Sequence, residues 1–199
     1  MDFTKQELAL IKKLNTPAKI QDFLNQIPFN FEPDGETLKS PLFTLRDNRA
    51  HCFEGALLGA YILSRQGFKP LVLHLQATKE DFDHVVAPFK QDGFWGAISK
   101  TNHAVLRYRE PVYRDIRELA MSYFHEYFLD TGKKTMRRYS EPMNLNDFES
   151  DWPTHRSDLW GIDQELDKVK HYDVLSKSQI KKLRLADDIE IQAGKIKEF

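Results

Sequence analysis

Only one of the 199 residues is cysteine, so the chain cannot close a disulfide within itself, and a disulfide-stapled scaffold is excluded. An excess of one charge is also missing. Lys and Arg number 29 against 30 Asp and Glu, leaving a formal net charge of −1 that gives no general pull toward nucleic acid or an anionic membrane. No apolar run approaches the roughly 18 to 20 residues needed to span a bilayer, the longest uncharged stretch lying around Gly55 to Ser64. Residues Met1 to Glu7 carry neither the basic end nor the apolar stretch of a secretory signal, and a reducing, cytoplasmic compartment is expected. There is no phosphate-cradling glycine loop, because Gly55-x-x-x-Gly59 is not followed by Lys-Ser or Lys-Thr. Asp81, Asp83 and His84 have no second histidine or cysteine at ligand spacing, so neither a metal nor another cofactor is expected.

What is present is a hydrophobic share of 41% with 12% aromatic residues, enough to bury the core of one domain. Apolar spacing predicts a helix over about Lys5 to Leu14 and a second from Thr16-Pro17, with Thr16 as cap and Pro17 at the first helical position. A long loop follows over Pro28 to Pro41. From Cys52, positions 53, 56, 57, 60 and 63 trace one helix face, and Gly67 is placed to end it. Gly55, Ala56, Gly59 and Ala60 flatten that helix, which costs helix propensity and predicts close approach of a sheet or another backbone. Strands are predicted over Pro70 to Leu75, Asp83 to Lys90 and Phe94 to Lys100, the last two joined by a turn at Asp92-Gly93, and a fourth over about Ala104 to Arg109, ended by Pro111. Asp115 to Glu118 reads as a capping box opening a helix to about Leu129. The basic run Lys133 to Arg138 reads as solvated surface, and residues from about Ile162 onward as one or two peripheral helices.

Cys52 is the residue most able to carry chemistry. A thiol at a helix N-terminus feels the positive end of the dipole, which favours the thiolate. A nucleophilic cysteine needs a base within hydrogen-bond reach, and His84, at the start of a strand in the sheet against which the cysteine helix packs, can supply it. His51 is adjacent to the thiol, but neighbours on a helix point apart. Asp83 faces away from His84 if both lie on a strand, and reads as a surface or turn residue.

The runs Asn48-Arg49-Ala50-His51-Cys52-Phe53-Glu54-Gly55-Ala56, Asp83-His84-Val85-Val86-Ala87 and Gly93-Phe94-Trp95-Gly96-Ala97-Ile98 resemble the core of bacterial transglutaminase-like proteins. The resemblance covers about Leu42 to Arg109, with weaker likeness to about Leu129. It implies an α+β, papain-like core in which N-terminal helices and the cysteine helix pack on an antiparallel sheet. A helical and irregular C-terminal extension, about 130–199, would complete a single domain. It further implies Cys52 as nucleophile and His84 as base, in a hydrolase or acyltransferase acting on a peptide, protein or small amide or ester. In that family an aspartate commonly follows the tryptophan, whereas here the position is Ser99. If Asp92 and Gly93 form a two-residue turn, Thr101 stands opposite His84 with Ser99 and His103 diagonal to it. Asn102 enters if the register shifts by one, and its amide is a competent partner for imidazole. Asn102 is therefore the expected third residue, with Ser99 as the alternative. Without a carboxylate the fold would also suit a weakly active or inactive binding or scaffold protein.

Overall fold

The computed structural model describes residues 2–198. Two capped helices open the chain. In α1 (Lys5–Lys13) the Thr4 hydroxyl accepts from Glu7 N–H at 3.2 Å, and in α2 (Pro17–Gln26) Thr16 accepts from Lys19 N–H at the same distance. Pro41, read as the end of a loop, instead opens α3 (Pro41–Asp47), where its missing N–H costs nothing. Asn48 then turns the chain through the left-handed region, with φ of 53°.

α4 (Cys52–Ser64) is the central helix. Its predicted single apolar face is too narrow a description: Leu58 and Ile62 are fully buried as well, because α2 and α3 cover the sides that the sheet does not. A helix apolar all round is a core helix. The flat surface foreseen in the sequence has a definite occupant. A Cβ on Gly55 would overlap Lys100 Cβ and stand 2.9 Å from its Cγ, and one on Gly59 would stand 3.1 Å from Ile98 Cγ2.

Seven strands follow among the described residues: β1 (Leu71–Gln76), β2 (His84–Gln91), β3 (Phe94–Ser99), β4 (Arg109–Tyr113), β5 (Arg138–Ser140), β6 (Met143–Asn144) and β7 (His171–Asp173). They form one sheet in the order β4-β3-β2-β1-β5-β7, with β6 also paired to β1, and every pairing is antiparallel. Asp92 and Gly93, with φ of 51° and 89°, make the two-residue turn that matches strand twist. The resulting register sets Gln91 opposite Phe94 and Val86 opposite Ser99.

The fourth predicted strand is displaced. Residues 104–108 are loop, held by Ala104 N–H to Ile196 O (2.9 Å) and Leu106 N–H to Glu126 (2.7 Å), and β4 begins only at Arg109. Pro111 lies inside it, as the outermost strand permits. The segment beyond residue 130 is likewise not only helical and irregular, because β5, β6 and β7 extend the sheet from it. Within the basic run, Thr135 and Met136 are fully buried, so that run is not wholly solvated.

The sheet is covered on both faces. Val72, Val85, Ala87, Phe89 and Ile98 pack with α1, α2, α4 and α6 (Trp160–Lys168). Leu73, Leu75, Val86 and Ala97 pack instead with Leu119, Ala120, Tyr123 and Phe124 of α5 (Ile116–Phe124) and with Tyr127. α5 is shorter than predicted, ending at Phe124. Two small helices, α7 (Lys177–Ile180) and α8 (Asp188–Gly194), lie toward the C-terminus. The architecture is α+β, with eight α-helices and a seven-stranded antiparallel sheet among the described residues.

Candidate active site

The start of α4 and the start of β2 meet at one cleft of about 530 Å³, lined by both Cys52 and His84. The meeting follows from the register. With Val86 opposite Ser99, His84 lies diagonal to Ser99 on the same face, and its Nε2 donates to Ser99 Oγ at 2.8 Å. Ser99 Oγ in turn donates to Leu106 O at 2.5 Å, so its lone pair is turned to the imidazole. These two bonds assign the tautomer: Nε2 carries the proton and Nδ1 is the nitrogen left for the thiol.

Asn102 does not take the place expected of it. It lines the cleft and is buried, and its backbone carbonyl accepts from Glu198 N–H at 2.7 Å, but the partner of His84 is Ser99. The physical reason is that the Asp92-Gly93 turn holds its two-residue register, whereas Asn102 required a shift by one.

Ser99 is itself clamped. The Gln21 amide of α2 receives Ser99 N–H at 2.9 Å and donates to Ser99 O at 2.8 Å, so both backbone polar groups are satisfied from one side chain. Leu106, whose carbonyl holds the serine hydroxyl, has φ of 60°, a left-handed conformation that costs a non-glycine residue about 1 kcal/mol or more. No sequence signal marks either residue: Gln21 reads as one polar position of an amphipathic helix, and Leu106 as an apolar strand residue.

His51 is closer to the chemistry than adjacency in a helix allows. It is the cap rather than a helical residue, with extended backbone (φ −90°, ψ −174°), which removes the geometric reason for its ring to point away. Its Nδ1 accepts from Phe53 N–H at 3.2 Å and its Nε2 donates to Thr37 O at 2.8 Å. Behind it the fully buried Glu54 carboxylate accepts from His51 N–H, Asn30 Nδ2, Thr37 Oγ1 and Lys39 N–H at 2.8 to 3.2 Å. A buried charge needs that number of donors.

The two imidazoles set the charge on sulfur. Burial pushes the Cys52 thiol up, but hydrogen bonds from His51 and His84, with their charge, outweigh it and bring the thiol from 9.0 down to about 5. By area the side chain is only partly buried, one side being open to the cleft. Burial likewise lowers His51, while its bond to Cys52, the thiolate charge, the Glu54 charge and the Thr37 carbonyl raise it to about 9. A charged His51 can no longer accept from Phe53 N–H, so its protonation costs that bond.

Asp83 is an exposed residue just before β2, as a surface position was expected to be, but not an idle one. It accepts from Ala77 N–H at 2.7 Å and from His74 Nε2 at 2.9 Å, and His74 Nδ1 meets His171 Nε2 at 3.1 Å. This network fixes the backbone immediately before His84. Tyr127 OH donates to Phe82 O from the other side of the same loop. No group of three or more His, Cys, Asp or Glu among the described residues is arranged to hold a metal ion. A second hollow of about 490 Å³, between the Asn30–Lys39 loop, α3 and Arg156 to Asp158, does not include the thiol.

The fold and the cleft together define an α+β protein in which a cysteine and three histidines, His51, His84 and His103, line one opening, with the buried Ser99 bonded to His84. No protein-family model matches the chain, and no curated protein is similar to it in sequence. No helix among the described residues is long and apolar enough to cross a membrane.

Proposed function

We propose that the chain is a cysteine-nucleophile enzyme that acts on an amide or ester carbonyl through a thioester, on a transglutaminase-like, papain-like core. The observation that carries this reading is the convergence of Cys52 and His84 on one cleft, with His84 Nε2 bonded to Ser99 Oγ and Ser99 Oγ to Leu106 O. It has the order of roles that a nucleophile, a base and an orienting group require. His84 Nδ1 takes the Cys52 thiol proton, the sulfur attacks the carbonyl carbon, and the carbonyl π pair moves onto oxygen. Backbone N–H groups at the start of α4, where Cys52 is the first helical residue, would stabilise that oxyanion. As the tetrahedral species collapses, the C–N or C–O bond breaks and the leaving group takes its proton from the His84 imidazolium. Water or an amine then gives a proton to His84 and attacks the thioester, and the departing sulfur returns to the thiol or thiolate.

Ser99 favours a second reading as well. A neutral hydroxyl stabilises imidazolium less than a carboxylate does, and a slow enzyme or a binding protein on the same scaffold fits that substitution. One experiment separates the two. Incubation with an acyl thioester followed by intact mass measurement gives an acyl adduct on wild type, none on Cys52→Ser, and slower formation on His84→Ala. A wild type that never acquires the adduct is a scaffold and not an enzyme of this class.

A further inference from the structure

We infer that the cleft selects a neutral acyl group bearing an aromatic or bulky apolar side chain. This rests on the reading of Cys52 as the nucleophile and names what that nucleophile accepts.

Two large apolar side chains stand in the open at the cleft. Phe82 is 90% exposed and Phe31 is 58% exposed, and both line the opening that contains Cys52. Apolar side chains exposed beside a reactive group mark a ligand surface more than a lone surface phenylalanine does. Neither ring is loose chain. Phe82 donates its N–H to Asp81 at 2.9 Å and its carbonyl accepts from Tyr127 OH, so the loop backbone is held at both polar groups while the ring projects outward. Phe31 packs edge to face on Phe29, with ring centres 5.1 Å apart. Phe29 is in turn bridged to Ala50, two residues before the thiol. Phe128 adds a further ring to the opening.

The acidic groups of the cleft are all engaged within the protein. Glu32 accepts from Thr37 N–H at 2.7 Å, Asp81 from Thr135 Oγ1 and Phe82 N–H, and Asp83 from His74 and Ala77. Glu126 is paired with Arg109 at 2.6 Å, and Asp130 lies 3.7 Å from Lys195. The Lys100 ammonium is turned away, donating to the Leu24 and Ile27 carbonyls at the end of α2. Lys197, exposed at the opening, is the lysine left to meet an anionic acyl chain, whereas an apolar chain would cover rings now exposed to water.

The test measures the rate at which Cys52 is acylated, by intact mass, with acetyl, succinyl and phenylacetyl thioesters of one common thiol. Phenylacetyl transfer is expected to exceed both others by on the order of 10-fold or more. Phe82→Ala and Phe31→Ala should lower the phenylacetyl rate more than the acetyl rate, and rings this exposed are dispensable for folding. Equal rates for all three donors, or a preference for succinyl, would overturn the inference while leaving Cys52 a nucleophile. Acylation by none of them would overturn the nucleophile reading too.

Discussion

Reactivity of Cys52 at mildly acidic pH is the prediction that the two histidines make, and it can be worked out in numbers. With the thiol at about 5, roughly nine-tenths is thiolate at pH 6, against about one part in a thousand for a thiol at 9.0. A less basic thiolate is a weaker nucleophile, and a Brønsted slope of about 0.4 to 0.5 removes roughly 40- to 100-fold of that advantage. Alkylation by iodoacetamide at pH 6 should therefore be about 10- to 20-fold faster than for an ordinary cysteine. The fuller signature is the pH profile, with its rising limb centred near 5 and a second change near 9 as His51 loses its proton. The signs are opposite. The depressed thiol contributes stability that is complete above 9.0 and lost as pH falls through about 5, and the raised imidazole contributes stability that is complete below 6.5 and lost as pH rises through about 9. The ion pair thus occupies the window between. His51→Ala and His84→Ala should each move the lower limb upward, and the double variant should carry it to the ordinary thiol value or above, because burial alone raises the thiol. Circular dichroism on each variant separates a changed thiol from a lost fold. A wild-type limb at or above pH 8 would refute the electrostatic reasoning outright.

Four further outcomes can be measured. Ser99→Ala removes the acceptor that orients His84 and should lower the acylation rate constant by about 10- to 100-fold, with stability reduced by only about 1 kcal/mol in urea. Gln21→Met abolishes both bonds to the Ser99 backbone, and should cost about 2 kcal/mol in urea while slowing acylation more than a distant core substitution of equal cost. Gly55→Ala forces a methyl group into Lys100, and a loss of about 1 to 3 kcal/mol should appear as a lower melting temperature. Glu54→Gln turns an amide toward groups that are all donors; about 3 kcal/mol of stability should go, and the upper limb of the alkylation profile should move down from about 9 because a charge that raises His51 is gone.

Much of the framework is legible residue by residue. Thr4 and Thr16 cap the helices that their spacing announces, and Asp92-Gly93 dictates the hairpin, because left-handed backbone at two successive positions admits few residues. The small residues of α4 announce a close neighbour, and Lys100 and Ile98 fill that place. α3 was hidden because seven residues carry too little periodicity, and β5, β6 and β7 because two- and three-residue strands owe their existence to the edge they join. The loop at 104–108 reads as a strand until its tertiary bonds to Ile196 and Glu126 are seen.

For the site, the sequence by itself singled out the groups able to carry chemistry: a lone thiol at a helix start, and a histidine at the head of a hairpin whose turn counts the register. Those features are local, encoded within a few residues of where they act. The tertiary structure decided the rest. It gave His84 the Ser99 hydroxyl instead of the Asn102 amide, made His51 the cap of the helix that Cys52 begins, and set the Gln21 amide across a gap of 78 residues to hold the serine in place. Such contacts join segments far apart in the chain, and no spacing rule links one segment to another until the sheet and α4 have packed.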